Sequence, residues 1–167
     1  MCLIIDANAV SLALDPDGDN DFTPVWKALV SRRARAVYGG KLAREYLKVA
    51  KLCDLIRRFD QIGVFRQIAT SKVNAETAKV KTEACCVSDD EHIIALARVS
   101  GVRLLCSHDK ALHDDFTNPK ILRPRGSVYQ NPSHAALIQK HCQKPSRPSE
   151  PKSTATRSSS TKPRRKR

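Results

Sequence analysis

Four carboxylates, Asp6, Glu45, Asp90 and Asp109, and one hydroxyl, Ser107, fall where regular elements begin or end or beside an apolar helical stripe, and they define the chemistry open to this chain. Acids gathered without opposing Lys or Arg repel one another unless protons or cations intervene. Hard oxygen donors of this kind suit Mg²⁺ or Mn²⁺. One or two such ions, about 4 Å apart, activate a water and stabilise the leaving oxygen of a phosphodiester during in-line displacement. Each acid also has a plain structural account. Asp6 and Asp109 are suited to capping the helices behind them, Asp90 to pairing with a helix dipole, and Glu45, beside Arg44, to a solvated face. Spacing alone leaves both accounts open.

The elements that must position these residues follow from hydrophobic periodicity. Cys2 to Ile5 is an apolar run without alternation, as in a strand buried on both faces, and it ends at Asp6 with a helix-friendly Ala9 to Leu14 behind it. A polar turn from Asp15 to Asp21 leads to Thr23-Pro24, a cap and first-turn proline for a helix over Val25 to Arg33. Ala36 to Tyr38 reads as a short strand closed by Gly39-Gly40. The longest helix is expected over Lys41 to Asp60, with Glu45 beside a stripe of Leu42, Tyr46, Val49, Cys53, Ile56 and Phe59. Gly63 to Ala69 reads as a strand and Asn74 to Cys86 as a helix. Ser88 and Glu91 form a capping-box pattern ahead of Ile93, Ile94, Leu96, Ala97 and Val99, which places Asp90 in the first turn of a helix that Gly101 ends. Val102 to Cys106 reads as a buried strand. Ser107-His108-Asp109 follows at its carboxyl end, the edge where open α/β sheets bind ligands. A short helix from Lys110 to Asp115, a weak strand at Ile121 and Leu122, and a helix from Pro132 to Cys142 complete the order. Strands alternating with helices imply βαβ units and a mainly parallel sheet, and no internal repeat is visible.

The 167 residues suffice for one domain with a real core, and the formal charge of +13 is unevenly spread over them. From Lys144 to Arg167 nine Lys or Arg stand against a single acid, Glu150, so this segment carries +8. Its prolines, Ser and Thr, with no apolar residue larger than Ala155, predict a disordered tail over 144–167 behind a domain of residues 1–143. Lys162, Arg164, Arg165, Lys166 and Arg167 are suited to neutralising phosphates of RNA or DNA without reading sequence, although a solubilising terminus has the same composition. One Trp, three Tyr and four Phe, several at core positions, do not support a base-stacking platform. Cys2, Cys53, Cys85, Cys86, Cys106 and Cys142 lie mostly in apolar runs and read as small buried hydrophobes of a reducing compartment, without C-x-x-C zinc spacing. No signal-peptide pattern or run of transmembrane length is present, so a soluble cytoplasmic protein without membrane contact is expected.

The segment DEHIIALARVSGVRLLCSHDKAL, Asp90 to Leu112, resembles the distal half of a PIN domain, with its acid-x-x-I-x-A-x-A helix and its Ser-x-Asp after a strand. The opening IIDAN, Ile4 to Asn8, is similar to the proximal half, and order and spacing agree from Cys2 to about Asn131. The resemblance implies a three-layer α/β/α fold around a mainly parallel sheet and a Mg²⁺- or Mn²⁺-dependent nuclease acting mostly on RNA, leaving 5′-phosphate and 3′-hydroxyl ends. Residue by residue, Asp6 matches the first metal ligand, Asp90 the acid opening the distal helix, and Asp109 the acid after Ser107, whose hydroxyl orients a ligand or water. Glu45 is the candidate for the mid-chain acid that binds metal or positions water. Asp89 replaces Asp90 if the helix starts one residue differently, but the I-x-A-x-A register favours Asp90. Asp114 and Asp115 read as exposed acids, His108 as a phosphate contact or a structural residue, and His92 and His113 gain no role. The implied setting is a toxin with an antitoxin protein partner, with a homodimer common in the family. The alternatives are an RNA-processing or housekeeping nuclease, or a catalytically degenerate PIN-fold protein that binds nucleic acid through its tail.

Overall fold

Five short parallel strands carry the core: β1 (Ile4–Ile5), β2 (Ala36–Gly39), β3 (Phe65–Ile68), β4 (Leu104–Cys106) and β5 (Ser127–Tyr129). The computed structural model describes residues 1–142; Lys162, Arg164, Arg165, Lys166 and Arg167, and with them the expected tail, lie outside the described residues. β1 pairs with β4, β4 with β5, and β2 with β3, all parallel, with Ile4 opposite Leu105 and Ile5 opposite Cys106. A parallel bridge between Leu3 and Ala36 lays β2 beside β1, which gives the spatial order β3-β2-β1-β4-β5. The chain therefore builds outward in one direction from β1 and in the other from β4. The crevice at the carboxyl ends of β1 and β4 is the switch point at which open parallel sheets bind ligands. Leu3, Ile4, Ile5, Leu104 and Leu105 are wholly buried, each contributing roughly 1.5–3 kcal/mol of hydrophobic stabilisation, so Asp6 and Ser107 stand on a rigid part of the core.

The helices are α1 (Ala7–Ala13), α2 (Thr23–Val30), α3 (Gly40–Leu47), α4 (Ala50–Gln61), α5 (Thr70–Glu83), α6 (Glu91–Ser100), α7 (Lys110–Thr117) and α8 (Ala135–Cys142), with a 3₁₀ turn at Pro132–His134. The single helix expected over Lys41 to Asp60 is two, because Val49, at φ −95° and ψ 79°, leaves the helical region. The break lets both apolar stripes reach the core. Leu42 and Tyr46 bury on α3, which packs on α5 and α6, whereas Leu52, Ile56 and Phe59 bury on α4, which packs on β3. α5 is the longest helix at 14 residues and starts earlier than expected; only Val73 and Val80 are buried on it, too sparse a stripe to mark its first turn. Its last acid, Glu83, takes a bidentate pair of hydrogen bonds from Arg98 of α6, both at 2.8 Å, which fastens the two helices together.

Two expectations fail near the carboxyl terminus. Ile121 and Leu122 are buried in a turn, and the last strand is Ser127–Tyr129, entered through Gly126. A Cβ on Gly126 would overlap the Phe116 ring, so only glycine lets β5 approach α7 there. The cysteines are not uniformly buried hydrophobes either. Cys2 and Cys142 form a disulfide with Cα atoms 5.0 Å apart, joining the chain just ahead of β1 to the end of α8, while Cys85 is exposed and only Cys106 is a buried free thiol. Apolar neighbours in sequence do not fix burial at a helix end or in a loop, which is why that reading failed. Among the described residues no helix is long and apolar enough to cross a membrane.

Candidate active site

Asp6 extends the sheet by donating its amide to the Cys106 carbonyl at 2.9 Å, so its side chain leaves the carboxyl edge between β1 and β4. It occupies the N-cap position of α1, yet its carboxylate makes no capping hydrogen bond. Instead Oδ2 accepts from the Ser107 hydroxyl at 2.8 Å and, weakly, from Asn8 Nδ2 at 3.5 Å. Asp6 is 4 % exposed, and this burial holds its carboxyl above the usual aspartate range. The Ser107 hydrogen bond and the nearby amides of Asn8 and Ala7 oppose the rise, and the negative charge of Asp109 adds to it.

Ser107 is wholly buried and couples this acid to the next, since its Oγ also accepts from the Asp109 amide at 3.0 Å. Asp109 caps α7 by accepting from the Leu112 amide at 2.9 Å. The loop is braced from α7: His113 Nε2 donates to the Ser107 carbonyl at 2.9 Å, which leaves Nδ1 to accept from Gln130 Nε2 at 2.6 Å. His108 bonds the Gln130 carbonyl at 3.1 Å and lies against Phe22 with ring centroids 4.9 Å apart, a structural setting.

The second half of the site comes from α3 and α6. Gly40 has φ +57°, and a Cβ there would meet Val73 Cγ1 at 2.7 Å, so glycine both permits the turn into α3 and lets it close on α5. Tyr46 on α3 donates its hydroxyl to the Ile5 carbonyl, which pins this helix to the end of β1 and brings Glu45 to the same edge. Between Glu45 and Asp90 stands His92, only 3 % exposed, with Nε2 3.2 Å from Glu45 Oε2 and Nδ1 3.7 Å from Asp90 Oδ1. Lys41 Nζ lies 3.5 Å from Glu45 Oε1.

Asp90 is the N-cap residue of α6 rather than a member of its first turn, and like Asp6 it makes no capping bond. Burial raises its carboxyl above the usual range; His92 and Lys41 oppose the rise, while the charges of Asp6 and Glu45 add to it. Burial lowers His92 below the usual imidazole range, helped by Lys41 and opposed by Glu45 and Asp90. Asp89 is exposed and lines a neighbouring cleft.

Asp115 is not the exposed acid that its sequence suggested. It is 1 % exposed and holds the loop before Asp90, accepting from the Ser88 hydroxyl at 2.7 Å, the Ser88 amide at 2.8 Å and the Val87 amide at 2.9 Å. Ser88 therefore donates to Asp115 and, at 3.4 Å, accepts from the Asp90 amide, and it does not cap α6. Asp114 is exposed as expected.

The fold thus gathers Asp6, Ser107 and Asp109 as one hydrogen-bonded set and, beside it, the hydrogen-bonded pair Glu45 and His92 with Asp90 3.7 Å from the ring, Asp6 being close enough to Asp90 to raise its carboxyl. Among the described residues no group of three His, Cys, Asp or Glu side chains already stands ready to hold a metal ion. The donor chemistry nonetheless suits a hard divalent cation, since the side chains around the gap offer carboxylate oxygens and Asp90 accepts no hydrogen bond from any described residue. His92 and Asp115 were missed by reasoning on sequence. The available signal was burial: all residues of α6 from His92 to Ala97 are buried, and a polar side chain on such a helix needs a partner. No protein-family model matches this chain, and neither a curated protein nor a solved structure matches it.

Proposed function

We propose that this chain is a metal-dependent endoribonuclease of PIN-like, three-layer α/β/α design, with Asp6 and Asp90 as its principal ligands for Mg²⁺ or Mn²⁺. One observation carries the reading: both aspartates stand at helix N-caps, neither makes the capping hydrogen bond, and the two carboxyls are raised by burial and, at Asp90, by the charge of Asp6. Carboxyls raised by burial and by one another's charge are relieved by a cation between them. The ion supplies positive charge that activates an attacking water and offsets charge developing at the phosphodiester.

The chain's own residues do the rest. Ser107 fixes the orientation of Asp6 through Oδ2. Asp109 commits Oδ1 to α7 and offers its other oxygen as the third ligand. His92 orients Glu45, which helps to hold the ion or positions the water. The basic tail, Lys162 to Arg167, adds salt-sensitive affinity for the strand. The test is cleavage of a mixed single-stranded RNA and a matching DNA by the full chain with Mn²⁺, Mg²⁺ or EDTA, beside Asp6→Asn. Metal-dependent RNA cutting that falls at least about a hundredfold in Asp6→Asn is expected; undiminished cutting by that variant, or none by the wild type under any metal, overturns the proposal.

A further inference from the structure

Beside the carboxylates, α3, α5 and the start of α6 enclose a cleft of about 280 Å³ whose charge is divided by wall. α3 and α5 supply Lys41, Arg44 and Lys81; the α6 side supplies Asp89 and Glu91, the neighbours of Asp90 in sequence. Lys41 pairs with Glu45 at 3.5 Å, so the cationic wall begins against the candidate site itself. Arg44 and Lys81 are exposed and make no ion pair among the described residues, although acids stand on the facing wall. From α5, Asn74 and Thr77 add polar groups to the same wall; the Thr77 hydroxyl donates to the Val73 carbonyl at 2.8 Å and keeps its lone pairs for an incoming donor. Unpaired cations on one side and carboxylates on the other give a slot with a direction: the cationic wall along α3 and α5 attracts phosphates, and the acidic wall adjoins Asp90 in sequence.

We infer that this cleft is the approach path of the substrate, with Arg44 and Lys81 holding phosphates of a single RNA strand that flank the scissile one, and Lys41 at the junction with the metal-binding acids. The substrate class rests on the nuclease reading, but the surface can be tested without cleavage.

The experiment measures binding of a short labelled single-stranded RNA by the full chain in EDTA, by fluorescence anisotropy over a series of salt concentrations. It compares the wild type, Arg44→Gln/Lys81→Gln, and Lys27→Gln/Arg32→Gln, which removes the same charge from a separate groove between α2 and α8. Each phosphate contact to a single strand contributes about 0.7 to the slope of log affinity against log salt, so the cleft variant is expected to lose about 1.4 of that slope and roughly tenfold in affinity at about 0.1 M salt. The control is expected to stay within about twofold of the wild type. Equal losses in both variants, or none in either, overturn the inference, since net charge or the tail would then account for binding. Competition by a mononucleotide as effective as by the strand also overturns it, because that outcome makes the cleft a nucleotide pocket. If the wild type cuts RNA, the cleft variant must raise KM; an unchanged KM sinks the path while leaving the nuclease standing. If the wild type never cuts yet the cleft variant alone loses binding, the path stands and the nuclease reading falls.

Discussion

Replacing Asp115 by alanine isolates one structural claim, that a buried carboxylate on α7 holds the loop from which Asp90 projects. The substitution removes the acceptor for the Ser88 hydroxyl at 2.7 Å, the Ser88 amide at 2.8 Å and the Val87 amide at 2.9 Å. Val87 is 77 % exposed, so its amide can turn to water, whereas Ser88, at 7 %, cannot easily do so. Two donors are then orphaned at about 1–3 kcal/mol each, for a loss of roughly 2–6 kcal/mol. At about 2–4 °C per kcal/mol for a domain of this size, Tm falls by about 4–24 °C. Asp115→Asn keeps one acceptor oxygen and loses less, and Ser88→Ala removes the 2.7 Å hydrogen bond to Asp115 and a long one from the Asp90 amide at 3.4 Å, together about 1–2 kcal/mol. Urea unfolding of the three variants reads the order directly. The reasoning is refuted if Asp115→Ala lies within 0.5 kcal/mol of wild type, the usual scatter of surface substitutions, or if Ser88→Ala costs as much as Asp115→Ala.

Two further outcomes follow from the same geometry. The Cys2–Cys142 bridge closes a loop of 140 residues in sequence separation, so reduction or Cys142→Ser should cost about 2–5 kcal/mol in urea, and thiol titration of the unfolded, unreduced chain should count four; six thiols would contradict the bridge. In EDTA, Asp6 and Asp90 bind protons in the folded state at pH values where the unfolded chain, near 3.8, has released them. Stability therefore falls as pH rises from 3.8 through the raised folded values, by up to about 1.4 kcal/mol per pH unit for each carboxyl. Asp6→Asn should gain on the wild type across that window, and Mn²⁺ at about a hundred times its Kd should stabilise the wild type alone by about 2.7 kcal/mol. A flat difference between the two proteins over the acid range is the outcome that contradicts this.

What sequence made legible was local, and what it hid was long-range. The uninterrupted apolar run before Asp6 and the one before Ser107 each define a buried strand by themselves, and the carboxyl ends of such strands are where a parallel sheet gathers its ligands. Pairing of Ile5 with Cys106 then brings Asp6 and Ser107 within hydrogen-bond reach across 101 residues of chain. His92 carries no such signature, because its partner Glu45 lies 47 residues away on a helix whose end at Lys48 was itself not visible. Asp115 was misjudged for the same reason: a polar residue on a short helix looks solvated until the loop at Val87 and Ser88, 28 and 27 residues earlier, is folded over it. The disulfide is the extreme case, since nothing near Cys2 in sequence announces Cys142.

The three aspartates form a controlled comparison within one chain. Asp6, Asp90 and Asp109 all occupy N-cap positions, where a bonded side-chain oxygen is worth typically about 1 kcal/mol to the helix. Asp109 makes that bond, and its presence is explained by α7. Asp6 and Asp90 forgo it and additionally carry the cost of burial, which is the opposite of what local preference would select. Places where local preference and the fold disagree collect at functional sites, because only a task outside the fold compensates for the lost stability. On that argument Asp6 and Asp90 rank above Asp109 as ligands in the nuclease we propose, because α7 accounts for Asp109 whereas neither α1 nor α6 takes a capping bond from the acid at its start.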